Sequence, residues 1–190
     1  MADLYWTKGH PLRWLDFDIE NRPLSYLGSD FTTAEVTAIA ASWADEKKVH
    51  CWALGEVTAE EMLLGFTALY SRADGVTGHY IRKHDLPIVN GALLELGLPL
   101  LTAKLTCDTK MDLVRRKDLS ASQESLGEMY GLTHPKEHMS QPKWRKANRL
   151  TPEGIKETRR RVIGDVRQHK SLRVALLNAG ALKSPSTWRP

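Results

Sequence analysis

Leu15-Asp16-Phe17-Asp18-Ile19-Glu20 decides the fold of this 190-residue chain. Apolar and acidic side chains alternate along it with a period of two, the pattern of a half-buried strand. Leu15, Phe17 and Ile19 face one side of a sheet, and Asp18 and Glu20 face the other. Paired carboxylates at the end of a buried strand are costly. At a separation of ~4 Å and an effective dielectric of about 20 they repel by roughly 4 kcal/mol. A divalent cation bound between them turns that repulsion into coordination. Asp16 extends the acidic face and is read as a salt-bridge residue rather than a ligand.

Outward from this strand, the order of predicted elements is that of an α/β domain with a hairpin feeding a central sheet. Strands are expected at about 12–20, 35–44 and 48–54, the last two joined by the polar turn Asp45-Glu46-Lys47-Lys48. A helix over 58–73 has Thr58 as its cap, Glu60 and Glu61 in its first turn, and Met62, Leu63, Phe66, Leu69 and Tyr70 on one face. A short strand from Val76 to about Ile81 leads to Asp85, and Pro87 opens a helix that ends at Gly97. Lys104–Asp108 reads as a strand, with Asp108 and Asp112 as turn and capping groups, and Ser122–Tyr130 as a short helix. The segment 132–150 holds two prolines and five basic residues and is expected to be an irregular insertion. A long helix runs from Thr151 to about Asn178, and the tail 181–190 is expected to fray.

Composition narrows the function. No apolar stretch approaches the ~20 residues that span a bilayer. The N-terminal residues lack a basic segment followed by an apolar one, so neither secretion nor membrane insertion is expected. Cys51 and Cys107 lie in apolar, strand-like surroundings and read as reduced core thiols, which points to the cytoplasm. Phosphate-cradling glycine loops, CxxC pairs and the G-x-S-x-G elbow are all missing from the sequence, which removes nucleotide-triphosphate hydrolysis and acyl transfer. Charge is divided unevenly. Residues 1–131 carry 13 Lys/Arg against 19 Asp/Glu, a balance of −6; residues 132–190 carry 14 against 4, a balance of +10. A polyanionic partner is expected on the C-terminal side.

Three segments together, FDIENRPL from Phe17, GHYIRKHDLPIVNGALLELGL from Gly78 and GDVRQHKSLR from Gly164, carry a resemblance. In order and spacing they are similar to the three motifs of DEDD-type 3′–5′ exonucleases. Small, phage-type, stand-alone members related to the proofreading domain of family B DNA polymerases are the nearest likeness, over roughly residues 12–178. The resemblance implies a ribonuclease H-like fold with a mixed five-stranded sheet flanked by helices. Residues 1–180 would form the exonuclease domain, with the basic insertion inside it and 181–190 as the tail. It also implies a two-metal centre. Asp18 would bridge two Mg²⁺ or Mn²⁺ ions, Glu20 would bind one, Asp85 would act through a water, and Asp165 would supply the fourth acid. Such a pair of ions activates water on one side of a phosphodiester and stabilises the leaving 3′-oxygen on the other. The implied substrate is single-stranded or 3′-frayed DNA, with RNA as the alternative and a replication or repair protein as a further partner.

Two positions depart from the family pattern. A tyrosine four residues before the third-motif aspartate, or a histidine five before it, commonly orients the attacking water; here those positions are Arg161 and Arg160. An arginine is no base, since its pKa lies above ~12, but it can hold the scissile phosphate. Tyr80 follows His79 where relatives often have asparagine, and it offers a ring on which a base can stack. Lys143, Trp144, Arg145 and Lys146 interleave an aromatic with basic residues, as single-strand binders do, and the helix basics Lys156, Arg159, Arg160, Arg167 and Arg173 could track phosphates. His169, one turn past Asp165, is assigned to a surface or capping role. His134 and His138 have zinc-compatible spacing but nothing to complete a site, and read as loop residues. Two rivals remain. One is a catalytically impaired nuclease-like protein that binds nucleic acid or serves replication as an accessory; the other is an endonuclease or ribonuclease on the same fold.

Overall fold

The computed structural model describes residues 6–7, 10–24, 33–114, 119–132 and 139–190. Strands β1 (Trp6–Thr7) and β2 (His10–Pro11) form a small antiparallel ribbon. Then come β3 (Trp14–Pro23), β4 (Ala34–Trp43), β5 (His50–Ala53), α1 (Ala59–Arg72), β6 (Gly75–Gly78), α2 (Asp85–Glu95), β7 (Lys104–Asp108), α3 (Gln123–Met129), α4 (Gln141–Asn148), α5 (Pro152–Asn178) and β8 (Ser186–Trp188). Strands β3 to β8 make one mixed sheet in the order β5-β4-β3-β6-β7-β8. The β3–β4, β4–β5 and β7–β8 pairs are antiparallel; β3–β6 and β6–β7 are parallel. This is the ribonuclease H-like arrangement, with a sixth strand added at one edge.

The alternation in β3 decides what each face meets. Phe17 packs on Phe66 of α1, with ring centroids 5.0 Å apart, in a core that includes Ile39, Met62, Leu86 and Leu93. The other face of the sheet carries small residues on β4. Asp18 pairs with Ala40, and Glu20 with Ala38. Those alanines let α5 lie close, so that Val162 and Val166 bury against them and bring the helix directly over the acidic stripe of β3. Local chemistry starts and stops the helices where it should. Thr58 accepts from the Glu61 amide at 3.1 Å while the Glu61 carboxylate accepts from the Thr58 amide at 2.8 Å, a reciprocal capping box.

Four expectations change. The sheet has six strands instead of five, because the tail does not fray. Ser186–Trp188 pairs with β7, Thr106 donates to the Ser186 carbonyl at 2.7 Å, and Trp188 packs on the core. The basic insertion is partly helical: Pro142 occupies the first turn of α4, where a missing N–H costs nothing. Strand β6 stops at Gly78, three residues early. A Cβ at Gly78 would stand 2.7 Å from the Phe17 carbonyl, so only glycine allows the strands this close. Helix α2 begins at Asp85 itself, two residues before Pro87. His134 and His138 fall outside the described residues.

Strand β3 outruns its parallel neighbour. Its pairing with β6 covers only Trp14, Leu15 and Asp16. Beyond that the edge of β3 opens into a crevice past the carboxyl end of β6, the usual ligand position in α/β sheets. A register shift between Glu20 and Asn21 adds a bulge at the same place.

Candidate metal centre

Helix α5 crosses the acidic stripe of β3 with residues 161, 165, 169 and 173, one per turn on the same side. Four helical residues rise ~6.0 Å and two strand residues ~6.6 Å, so the two rows nearly match. The contacts follow in order. Glu20 meets Arg161, with Nε to Oε1 at 2.6 Å. Asp16 meets His169 and Arg173. Between these pairs acid faces acid: oxygen atoms of Asp18, Glu20 and Asp165 all lie within 4.8 Å of one another.

The donor set suits a hard divalent cation. It is made only of carboxylate oxygens, and Glu20 and Asp165 are buried, so water does little to screen their repulsion. Arg161 brings one positive charge against these three negative ones, and its Nε also lies 3.8 Å from Asp165. Burial works against the Arg161 charge, but Glu20 and Asp165 more than offset it and hold the guanidinium's pKa above its ordinary value. Mg²⁺ or Mn²⁺ fits such a cluster; thiol and imidazole ligands, which softer metals favour, take no part in it.

Asp85 stands back from the three. It lines the same pocket of about 270 Å³. Its Oδ1 accepts from the Ile19 amide at 3.2 Å, on the edge of β3 that β6 leaves open. Its Oδ2 lies 3.4 Å from His84 Nδ1, and the hydrogen bond to Asp85 raises the His84 pKa. Tyr80 lines the pocket in a left-handed conformation, φ 73°, which is strained for a bulky residue. Asp108 imposes that geometry. Fully buried, it accepts from the amides of Tyr80, Arg82, Lys110 and Met111 at 2.9–3.1 Å. Lys110 in turn lies 4.1 Å from the Tyr80 ring centre.

Three other pocket residues escaped the sequence reading. Gln123 donates to the Asp165 carbonyl and to Gln168 Oε1, both at 3.0 Å, and so steadies the turn of α5 that carries Asp165. His79 and Lys110 also line the pocket. Nothing about Gln123 in SQESLGE marks it; for Lys110 the signal that could have found it is a basic residue in the turn directly after β7.

The basic candidates divide. Arg145 and Lys146 are exposed in the last turn of α4. Lys143 and Arg160 both pair with Glu157, at 3.0 and 2.7 Å. Trp144 is half-buried, with its ring centre 5.1 Å from the Arg161 guanidinium. Two assignments need correction. Arg173 tracks no phosphate, and His169 is neither at the surface nor a cap, because both are buried on Asp16. Arg173 donates to both Asp16 oxygens at 2.9 Å, and His169 Nδ1 lies 3.1 Å from Oδ1. Complete burial alone would push the Asp16 carboxyl up; Arg173 and His169 outweigh it and hold it below the usual carboxylate range.

Comparison with solved structures places this sheet in company. The family B DNA polymerase of the hyperthermophilic archaeon Pyrobaculum calidifontis superposes with a TM-score of 0.65 at 19% identity, over 89% of this chain and 25% of the polymerase chain. The likeness is one of fold. This chain thus corresponds in length to about a quarter of the polymerase. No protein-family model and no curated protein sequence matches it. Among the described residues, no helix is long and apolar enough to cross a membrane.

Proposed function

We propose that this protein is a metal-dependent 3′–5′ exonuclease acting on single-stranded or frayed DNA. The observation that carries the reading is the meeting of Asp18, Glu20 and Asp165 within 4.8 Å, with Asp85 on the wall of the same pocket. The 3′ polarity and the preference for DNA over RNA rest on the motif resemblance. Asp18, Glu20 and Asp165 would hold the ions, and Asp85 would act from further back. When bound, two such ions supply the Lewis acidity that lowers the pKa of an attacking water and neutralises the departing 3′-oxygen. The water would give up a proton to solvent as it adds to phosphorus, the P–O3′ bond would break, the 3′-oxygen would take up a proton, and a nucleoside 5′-monophosphate would leave. Arg161 offers planar donors to the scissile phosphate. Tyr80 offers a ring to the terminal base, and Arg145 and Lys146 line an approach for the strand. Residues 1–180 serve as the exonuclease unit in this reading, with the basic segment 132–150 as its strand-binding arm.

The Arg161–Glu20 contact at 2.6 Å favours a second reading, a protein that binds nucleic acid without cutting it. One experiment separates the two. Single-stranded DNA and RNA labelled at the 5′ end are incubated with Mg²⁺ or Mn²⁺ and either wild type or Asp18→Ala, and with wild type in excess EDTA. A ladder shortening from the 3′ end, lost in both controls, is expected. Intact substrate under every wild-type condition, with salt-sensitive binding, would overturn the reading in favour of the binder.

A further inference from the structure

Arg161 is held from both sides. Its Nε lies 2.6 Å from Glu20 and 3.8 Å from Asp165, and its guanidinium carbon lies 5.1 Å from the centre of the Trp144 ring. The ring is fixed because α4 is fixed. A Cβ at Gly154 of α5 would come within 2.1 Å of the Lys146 carbonyl oxygen, so the two helices touch backbone to backbone. Arg22 donates to the Asn148 carbonyl at 2.7 Å, and Lys143 pairs with Glu157 at 3.0 Å. An aromatic face thus backs a guanidinium that hydrogen-bonds one of the three clustered carboxylates and pairs by charge with a second.

A hard cation needs the same oxygen lone pairs that Arg161 uses. Two cations crowded on Glu20 and Asp165 also repel each other. Resting on the metal-dependent reading of the site, we propose that Arg161, clamped by Trp144, is an internal competitor for the divalent ions and couples metal loading to substrate. A strand phosphate offers the guanidinium fork two charged oxygens for a bidentate contact, draws it off Glu20, and frees that carboxylate for metal. By linkage the coupling is reciprocal, so metal also tightens phosphate binding.

The test measures Mn²⁺ binding rather than turnover. The free Mn²⁺ electron-spin signal is titrated for wild type, Arg161→Gln, Trp144→Ala and Asp18→Asn, with and without thymidine 5′-monophosphate. Arg161→Gln is expected to bind Mn²⁺ about tenfold tighter or more, the equivalent of one charge-assisted hydrogen bond. Trp144→Ala, which loosens the clamp, is expected to tighten binding about two- to fivefold. The gain from thymidine 5′-monophosphate should be larger in wild type than in Arg161→Gln. If Asp18→Asn weakens Mn²⁺ binding but neither Arg161→Gln nor Trp144→Ala tightens it, the competition is refuted and the metal site stands. If Asp18→Asn leaves Mn²⁺ binding unchanged, the metal-centre reading itself fails. Should Arg161→Gln not fold, Trp144→Ala decides alone.

Discussion

Asp16 offers the sharpest quantitative test of how the site is held. Its carboxylate is 0% exposed, and Arg173 is only 4% exposed. Removing one member of a buried ion pair leaves the other charged and stranded, which costs about 3–5 kcal/mol. Asp16→Ala should therefore lower stability by that amount. For a chain of this size about 1 kcal/mol moves the midpoint by roughly 2–4 °C, so the expected fall in Tm is about 6–20 °C. Urea unfolding followed by circular dichroism gives the free energy directly. Replacing both partners with apolar residues, Asp16→Leu with Arg173→Met, should recover most of the loss, short of full recovery because His169 loses its acceptor. The pH dependence has a definite sign. The folded carboxyl titrates below the usual range and the unfolded one near ~3.9. The stabilisation is thus complete above about pH 4 and is lost as pH falls through the folded value. Wild type should weaken more steeply than the double variant on acidification. A loss under about 1 kcal/mol in Asp16→Ala would refute the reasoning, since a pair worth so little behaves as a solvent-exposed one.

Gly78→Ala drives a methyl against the Phe17 carbonyl and Ile81, and should cost roughly 1–3 kcal/mol on urea unfolding while displacing Asp18 and lowering Mn²⁺ affinity. Tyr80→Gly should raise stability by about 1 kcal/mol through relief of the left-handed backbone, and should weaken single-strand binding measured by fluorescence anisotropy.

Much of the fold was legible because local chemistry and global packing agree. The alternation of Leu15 to Glu20, the Thr58 and Thr151 caps and the small helix after Ser122 all persist in the structure. The misses share a cause. Pro142 reads as a breaker until its place in the first turn of a helix is known, and Ser186–Trp188 is too short to announce a strand without β7 beside it. Arg173 and His169 look like part of a basic, solvated helix because the resemblance brings only Asp165 to β3, and nothing in the sequence marks Asp16 as the partner that buries the stripe beyond it. The acids at 18, 20, 85 and 165 were nameable one by one, and their grouping, with Asp85 set back behind a water, came from the resemblance alone. In the structure the other three crowd together and Asp85 reaches back to the Ile19 amide.

The matched rows of β3 and α5 behave as a vernier. Strand steps of ~6.6 Å against helix steps of ~6.0 Å slip by about 0.6 Å at each rung, or about 1.2 Å over the two steps from Glu20 to Asp16. Long arginine side chains tie both ends: Arg161 reaches Glu20, and Arg173 reaches back one turn to Asp16, which His169 already faces. Aspartates have no such reach, so Asp18 and Asp165 can meet only where the two rulers coincide. A single inserted or deleted residue between 161 and 173 would turn the stripe by ~100° and erase the coincidence. The interior of this helix is therefore closed to changes of length, and the molecule's tolerance for insertion lies in its loops.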